Sequence, residues 1–215
     1  MNASLRITEI FYSLQGEANT VGLPTVFIRL TGCPLRCQYC DTAYAFSGGM
    51  IYQLDEILQE VKSHSAKYVT VTGGEPLAQP DCVHLLKALC DQGYEVSLET
   101  SGALDISEVD PRVVRVMDLK TPGSNEMNKN LLDNIAELNS HDQVKFVICN
   151  EEDYQWSREL SWEYALEDKV SDVLFSPSKD ELEPRQLAQW ILRDKLNVRM
   201  QVQLHKYLWG DEPGH

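Results

Sequence analysis

Apolar positions along the chain follow two periods in turn. Thr25, Val26, Phe27, Ile28 and Leu30 form a short run rich in β-branched and aromatic residues, which predicts a strand over 25–30. Leu54, Ile57, Leu58 and Val61 recur at i, i+3, i+4 and i+7, the stripe of an amphipathic helix over 54–64. Tyr-Val-Thr-Val-Thr at 68–72 reads as the next strand, closed by Gly73 and Gly74. Residues 81–92 carry Val83, Leu86 and Leu89 on one helical face, and Gly93 stands where a helix ends. The alternation continues with strands over 95–100, 112–120, 143–149 and 172–177, and a last strand over 199–205. Between them, Leu131, Leu132, Ile135 and Leu138 mark one helix, 151–167 is helical with an interruption, and 184–196 is helical.

Strands separated by helices imply parallel pairing through right-handed crossovers. The polar, glycine-rich stretches all fall at the C-terminal ends of the strands: 72–75, 99–102, 118–120, 176–178 and 205–206. In a parallel barrel that edge carries the site. Six or seven strands are too few to close an eight-stranded barrel. The expected fold is α/β, a partial, open-sided barrel of six to seven mostly parallel strands, with a flat doubly wound sheet as the alternative. No linker, repeat or low-complexity segment divides the 215 residues, so one domain over 1–215 is expected.

Charge narrows the function classes. With 33 acidic against 19 basic residues and a net charge of −14, few cations remain for a phosphate-neutralising face. Neither a nucleic-acid partner nor an anionic membrane surface is expected. No apolar run is long enough to span a bilayer, and the start, MNASLRITEI, has no basic and apolar leader. A cytoplasmic, reducing setting follows as the expectation, and the sequon at Asn2 reads as accidental. The six cysteines are then thiols or metal ligands rather than disulfides.

Cys33, Cys37 and Cys40 form C-x3-C-x2-C directly after the strand at 25–30. Three soft sulfur ligands in one loop suit an iron–sulfur cluster or zinc. Structural zinc wants a fourth ligand, and none is evident. Cys82 and Cys90 lie eight residues apart on one helix, ~12 Å along its axis, so they cannot both join one tetrad. A [4Fe–4S] cluster with three cysteines leaves one iron open for a substrate or cofactor. Cys82, Cys90 and Cys149 read as small core residues.

The motif, with Tyr39 before its last cysteine and Gly73-Gly74-Glu75-Pro76 after the next strand, resembles the radical S-adenosylmethionine (SAM) superfamily. The flanks narrow the resemblance. Ser13-Leu14-Gln15-Gly16-Glu17, Arg29, the 31–42 loop ending in Asp41-Thr42, and Gln203-Leu204-His205-Lys206-Tyr207 are similar to the 7-carboxy-7-deazaguanine synthase family of queuosine biosynthesis. The resemblance implies ring contraction of 6-carboxy-5,6,7,8-tetrahydropterin to 7-carboxy-7-deazaguanine, with loss of ammonia. It implies a [4Fe–4S] cluster on Cys33, Cys37 and Cys40, SAM, and Mg²⁺ on Thr42. It places Leu14, Gln15, Gly16, Glu17, Arg29, Thr72 and His205 at the pterin. Tyr39, Cys40, Asp41, Gly73, Gly74, Glu75, Ser101, Asp118, Leu119, Lys120 and Ser176 would line SAM, with the amino group of SAM held by the G-G-E segment and Glu75. It further implies a homodimer and a flavodoxin as electron donor.

The residue types suit these roles. A guanidinium offers a bidentate fork to a carboxylate, and hard, reluctantly dehydrated Mg²⁺ accepts one protein oxygen among waters and substrate oxygens. Each residue also admits a structural reading: Arg29 as a salt-bridge partner, Thr42 as a helix N-cap, His205 as a satisfied structural histidine, Gln15 and Glu17 as loop surface, and Lys120 as a partner of Asp118 or Glu99. Two other functions share part of the pattern. A glycyl-radical activase has the cysteines and G-G-E but no reason to combine Arg29, Thr42 and His205. A non-catalytic iron–sulfur or zinc module has no use for G-G-E. The tail over 206–215 carries no assigned role.

Overall fold

The computed structural model describes residues 3–210, 212 and 214. Asn2 of the sequon and positions 211, 213 and 215 of the tail lie outside the described residues. The chain opens with β1 (Ser4–Leu14) and β2 (Pro24–Leu30), then β3 (Met50–Gln53) leading into α1 (Leu54–Ser63). Next come β4 (Tyr68–Gly73), α2 (Cys82–Asp91), β5 (Glu95–Thr100), β6 (Val114–Asp118) and the short α3 (Asn134–Glu137). β7 (Gln143–Ile148), α4 (Glu151–Glu163), α5 (Leu166–Lys169), β8 (Asp172–Pro177), α6 (Pro184–Asp194), β9 (Arg199–Met200) and α7 (Leu204–Trp209) complete it.

The nine strands among the described residues form one sheet in the order β3-β1-β2-β4-β5-β6-β7-β8-β9. From β2 to β9 every pairing is parallel, with Val26 opposite Val69, Val71 opposite Leu98, and Phe146 opposite Phe175. β1 and β3 add an antiparallel edge. The sheet stays open, since β3 and β9 stand at opposite ends of it. The seven parallel strands are those expected from the periodicity, and β1 and β3 are additional. The pattern hid β1 because its register shifts between Ile7 and Glu9, so the core-facing positions pass from Leu5 and Ile7 to Ile10, and Phe11 turns to the cavity. β3 is four residues long and largely exposed, too short and too wet to leave a signal.

Each strand sorts its residues to two faces. Val26, Ile28 and Leu30, Val69 and Val71, Val96 and Leu98, Val144, Phe146 and Ile148, and Val173 and Phe175 all join the buried core. That core is completed by Ile57 and Val61 of α1, Leu85, Leu86 and Leu89 of α2, Tyr154 and Leu160 of α4, and Leu187 and Ile191 of α6. Each such side chain contributes roughly 1.5–3 kcal/mol by leaving water. The intervening residues are Phe27 and Arg29, Thr72, Glu99, Val116 and Asp118, Lys145 and Val147, and Ser176, and they line one cavity of about 240 Å³. Residues from β1 through β8 surround that single space, so the inner face of the sheet is concave. A parallel sheet packed on both faces has near-continuous apolar strands. Here the strands alternate because the second face is a site.

Two predicted elements differ. The helix marked by Leu131 to Leu138 shrinks to α3, because the Asn134 amide turns back to donate to the carbonyls of Gly102 and Leu104. The expected last strand stops at Met200, and His205 lies on α7 instead. The apolar positions Met200, Val202 and Leu204 alternate, but Val202 is 48% exposed, so the alternation marks no buried face.

Candidate active site

Residues 31–42 leave β2 and run across the rim of the cavity. Gly32 donates to the Ala45 carbonyl, Cys40 N donates to the Cys37 carbonyl at 3.2 Å, and buried Leu35 anchors the loop. Cys33, Cys37 and Cys40 are half-buried, and all three line the cavity. Burial pushes the Cys33 thiol up and the Cys37 thiol to about 11, so metal binding there releases protons. Cys82 is wholly buried in the core on α2 and Cys90 is half-buried on the same helix; neither lines the cavity. Among the described residues, no three of His, Cys, Asp and Glu converge on one ion position.

The G-G-E segment lies against this loop. Gly74 donates to the Leu30 carbonyl and Glu75 N donates to the Gly32 carbonyl at 2.8 Å. A Cβ on Gly74 would stand 2.4 Å from the Gly32 oxygen and 2.7 Å from the Cys33 Cβ, so only glycine allows this approach. Glu75 is fully buried. Its carboxylate accepts from Leu77 N at 3.0 Å, from the Thr100 hydroxyl, from Ser101 N at 2.7 Å and from the Ser101 hydroxyl. It thus ties the end of β4 to the end of β5 from behind the cavity wall. Past it, Tyr39, Asp118, Lys120 and Ser176 face the space beside the cysteines. Lys120 Nζ lies 3.1 Å from Asp118 Oδ2 and 5.9 Å from the Tyr39 ring centre. The Tyr39 hydroxyl, Asp118 Oδ1 and the Ser176 hydroxyl are buried without a hydrogen-bond partner. Buried polar atoms left unpaired at one wall are the mark of a ligand surface. Donor atoms and thiols together fit a cluster with SAM beside it.

The opposite end is polar and differently built. Arg29 stands between the rings of Phe11 and Tyr44, 5.7 and 5.8 Å from their centres. Its Nε donates to Glu9 Oε1 at 2.7 Å, and the Tyr44 hydroxyl donates to the same oxygen at 2.8 Å. Arg29 is thus a salt-bridge partner and a cavity residue at once. Gln15 is buried, and its amide donates to Thr70 Oγ1 and to Glu99 Oε1, while the Thr72 hydroxyl donates to Glu99 Oε2. Glu17 pairs with Lys145 and accepts from Gln203 Nε2 at 2.8 Å. Burial raises the Glu17 carboxyl, but Lys145, Gln203 and His205 outweigh it and hold the group below its ordinary value. For Glu99, burial and the neighbouring Glu17 together raise it.

α7 closes this end. Leu204 N donates to the Gly16 carbonyl at 3.0 Å, and a Cβ on Gly16 would strike His205 Nδ1 at 2.0 Å. Burial lowers the His205 ring despite Glu17 and Asp41 nearby, favouring the neutral form. Lys206 Nζ reaches Asp41 Oδ2 at 2.7 Å, and the Thr42 hydroxyl donates to Asp41 Oδ1 at 2.9 Å. Thr42 makes no side-chain cap on the helical turn that follows it.

The radical SAM superfamily profile matches residues 27–118, the segment from β2 to the end of β6. The 7-carboxy-7-deazaguanine synthase of Chlorobaculum tepidum is 46% identical, over 98% of this chain and 96% of its own. That of Koribacter versatilis is 42% identical, over 97% and 98%. The chain belongs to the 7-carboxy-7-deazaguanine synthase family. Membership makes it a radical SAM enzyme, a SAM-dependent lyase that carries a [4Fe–4S] cluster and SAM. The crystal structure of QueE from Escherichia coli shares the fold with a TM-score of 0.78 at 24% identity, covering 94% of this chain and 95% of that one.

Within this synthase fold, the cavity brings together Leu14, Gln15, Gly16, Glu17, Arg29, Thr72 and His205, and also Tyr39, Cys40, Asp41, Thr42, Gly73, Gly74, Ser101, Asp118, Lys120 and Ser176. Glu75 and Leu119 lie apart: Glu75 is spent on β5, and Leu119 is in the core with its backbone N bonded to Lys145 O. Further polar groups line the synthase cavity, among them Glu99, Lys145, Gln203 and Lys206. Strand alternation held a signal for the first two, since Lys145 stands between core residues Val144 and Phe146, and Glu99 between Leu98 and buried Thr100. Gln203 and Lys206 stood in the tail motif with no role of their own, and it is the turn into α7 that brings them to the cavity.

Proposed function

We propose that the chain contracts the ring of 6-carboxy-5,6,7,8-tetrahydropterin to 7-carboxy-7-deazaguanine with loss of ammonia. The observation that carries this reading is one cavity with two unlike ends, three thiols and orphaned polar atoms at one, and Arg29, Gln15 and Glu17 at the other. Arg29 holds the substrate carboxylate with the guanidinium nitrogens that Glu9 leaves over. Gln15, Glu17 and Thr72 read the N–H and carbonyl edge of the heterocycle. His205, held against Gly16, shuts that edge from water. Tyr39, Asp118, Lys120 and Ser176 hold SAM beside Cys33, Cys37 and Cys40. Bound cluster and SAM together supply the radical that removes hydrogen from C6; the protein's own part is to position and exclude water. Thr42, with its hydroxyl beside the Asp41 carboxylate at the rim, is the residue that would hold Mg²⁺, which would supply positive charge for the substrate carboxylate.

The remaining assignments belong to the same reading: one domain over 1–215, a homodimer, a flavodoxin as electron donor, and a cytoplasmic setting. No helix among the described residues is long and apolar enough to cross a membrane. The deciding experiment is anaerobic incubation of cluster-reconstituted protein with SAM, a reductant, Mg²⁺ and the carboxy-tetrahydropterin. The expected product has the mass of 7-carboxy-7-deazaguanine. SAM cleavage with the pterin left intact would overturn the assignment.

A further inference from the structure

β7 puts one cation among three carboxylates. Lys145 sits opposite Asp118 in the β6–β7 register, and its side chain is 13% exposed. Its Nζ pairs with Glu17 and lies 4.0 Å from Asp118 Oδ2, with Glu99 also acting on it. Asp118 has a second cation, Lys120 at 3.1 Å. For Glu17, Lys145 is the ion-pair partner, and Gln201 and Gln203 add hydrogen bonds. Burial works against the Lys145 ammonium, and the carboxylates around it more than restore its charge.

We propose that Lys145 is a positioning residue that turns Glu17 into the cavity as a hydrogen-bond acceptor for the N–H-rich edge of the substrate heterocycle, and ties that end of the site to Asp118 at the cofactor end. The proposal rests on the reading that Glu17 faces the pterin. An ionised carboxylate accepts on both oxygens, and a protonated one loses an acceptor and presents a donor to other donors. The groups facing Glu17 are Lys145 from β7, His205 from α7 and Glu99 from β5. Without Lys145, burial beside Glu99 acts on Glu17 with only the Gln203 hydrogen bond and His205 against it. Its carboxyl then titrates above its ordinary value instead of below it, and substrate binding is lost as pH falls through that higher value.

The test measures binding, with cluster-loaded protein and SAM but no reductant, so that nothing turns over. The dissociation constant of 6-carboxy-5,6,7,8-tetrahydropterin is followed from pH 8 to pH 5.5 for wild type, Lys145→Met, Lys145→Arg, Glu17→Gln and the double variant Glu17→Gln/Lys145→Met. Wild type should weaken only through groups other than Glu17, chiefly His205 and Glu99. Lys145→Met should weaken at least about tenfold more across the range, the change that one unit of titration gives. Lys145→Arg should recover most of the wild-type profile. Glu17→Gln should bind weakly with no acidic limb of its own, and adding Lys145→Met to it should change little, because residues that act as a unit are not additive. A Lys145→Met profile parallel to wild type, or additive losses in the double variant, would overturn the proposal. Should Lys145→Met not fold, Lys145→Gln takes its place, and a Lys145→Gln profile parallel to wild type would do the same. No pterin binding by wild type would overturn the functional reading as well, which separates the two failures.

Discussion

Cys33, Cys37 and Cys40 carry the metal chemistry, and their neighbours decide how specific that is. All three line the cavity, and Cys82 is sealed in the core behind the sheet. Replacing any of the three by alanine should abolish the cluster's visible absorbance and all SAM cleavage. Cys82→Ala should keep both and lower stability by about 1 kcal/mol, the cost of a small core truncation. Iron content and a melting curve check this, and loss of iron from Cys82→Ala would overturn the ligand set. Thr42 gives a second prediction at this scale. Its hydroxyl donates to Asp41 and caps nothing, so Thr42→Ala should leave the fold and the cluster unaffected. Activity across a Mg²⁺ titration should move to higher metal concentration; an unchanged curve would remove Thr42 from the metal.

Pairs of elements set the two ends of the site. The loop after β4 touches the cysteine loop through Gly74, where a methyl group would meet backbone oxygen at 2.4 Å. Gly74→Ala should therefore cost about 1–3 kcal/mol by overpacking and reduce cluster loading, read as iron per chain. α7 touches the 15–17 turn through Gly16, where the obstacle is the His205 ring. A ring on a short terminal helix can move, so Gly16→Ala should spare the cluster and raise KM for the substrate. Equal loss of iron in both variants would show that the two ends are not separately built. Away from the site, Arg115 and Asp142 form a buried pair, with Arg115 Nε 2.9 Å from Asp142 Oδ2. Asp142→Ala leaves a buried guanidinium alone, and should cost about 3–5 kcal/mol on denaturant unfolding.

Charge acts on the molecule as a whole. The chain carries −14, yet Arg29, Lys120, Lys145, Lys179 and Lys206 all line the one cavity. Arg29, Lys120, Lys145 and Lys206 are each paired there with a carboxylate of this chain, inside a concave face. They cannot track the evenly spaced phosphates of a helix, where each contact needs its own Lys or Arg. Full turnover should occur on the free pterin with no RNA present. Filter binding should find no salt-sensitive affinity for tRNA, and micromolar affinity that falls steeply with salt would contradict the charge argument.

Much of this was written in local pattern. Seven strands, most of the helices, the cysteine spacing and the G-G-E segment are short-range features, because period two and period 3.6 follow from backbone geometry alone. Val-Thr-Val-Thr over 69–72 already states which side chains meet the core and which meet the site. Three things depended on the tertiary structure. β1 was hidden by a register shift that only its partners β2 and β3 accommodate. The turn at Gln203 into α7 was decided by the bond from Leu204 to the Gly16 carbonyl and by the Lys206–Asp41 pair, across almost the whole length of the chain. The role of Glu75 was decided by hydroxyls and an amide at the end of another strand. In each case the deciding partner is distant in sequence, and a periodicity reports only on neighbours.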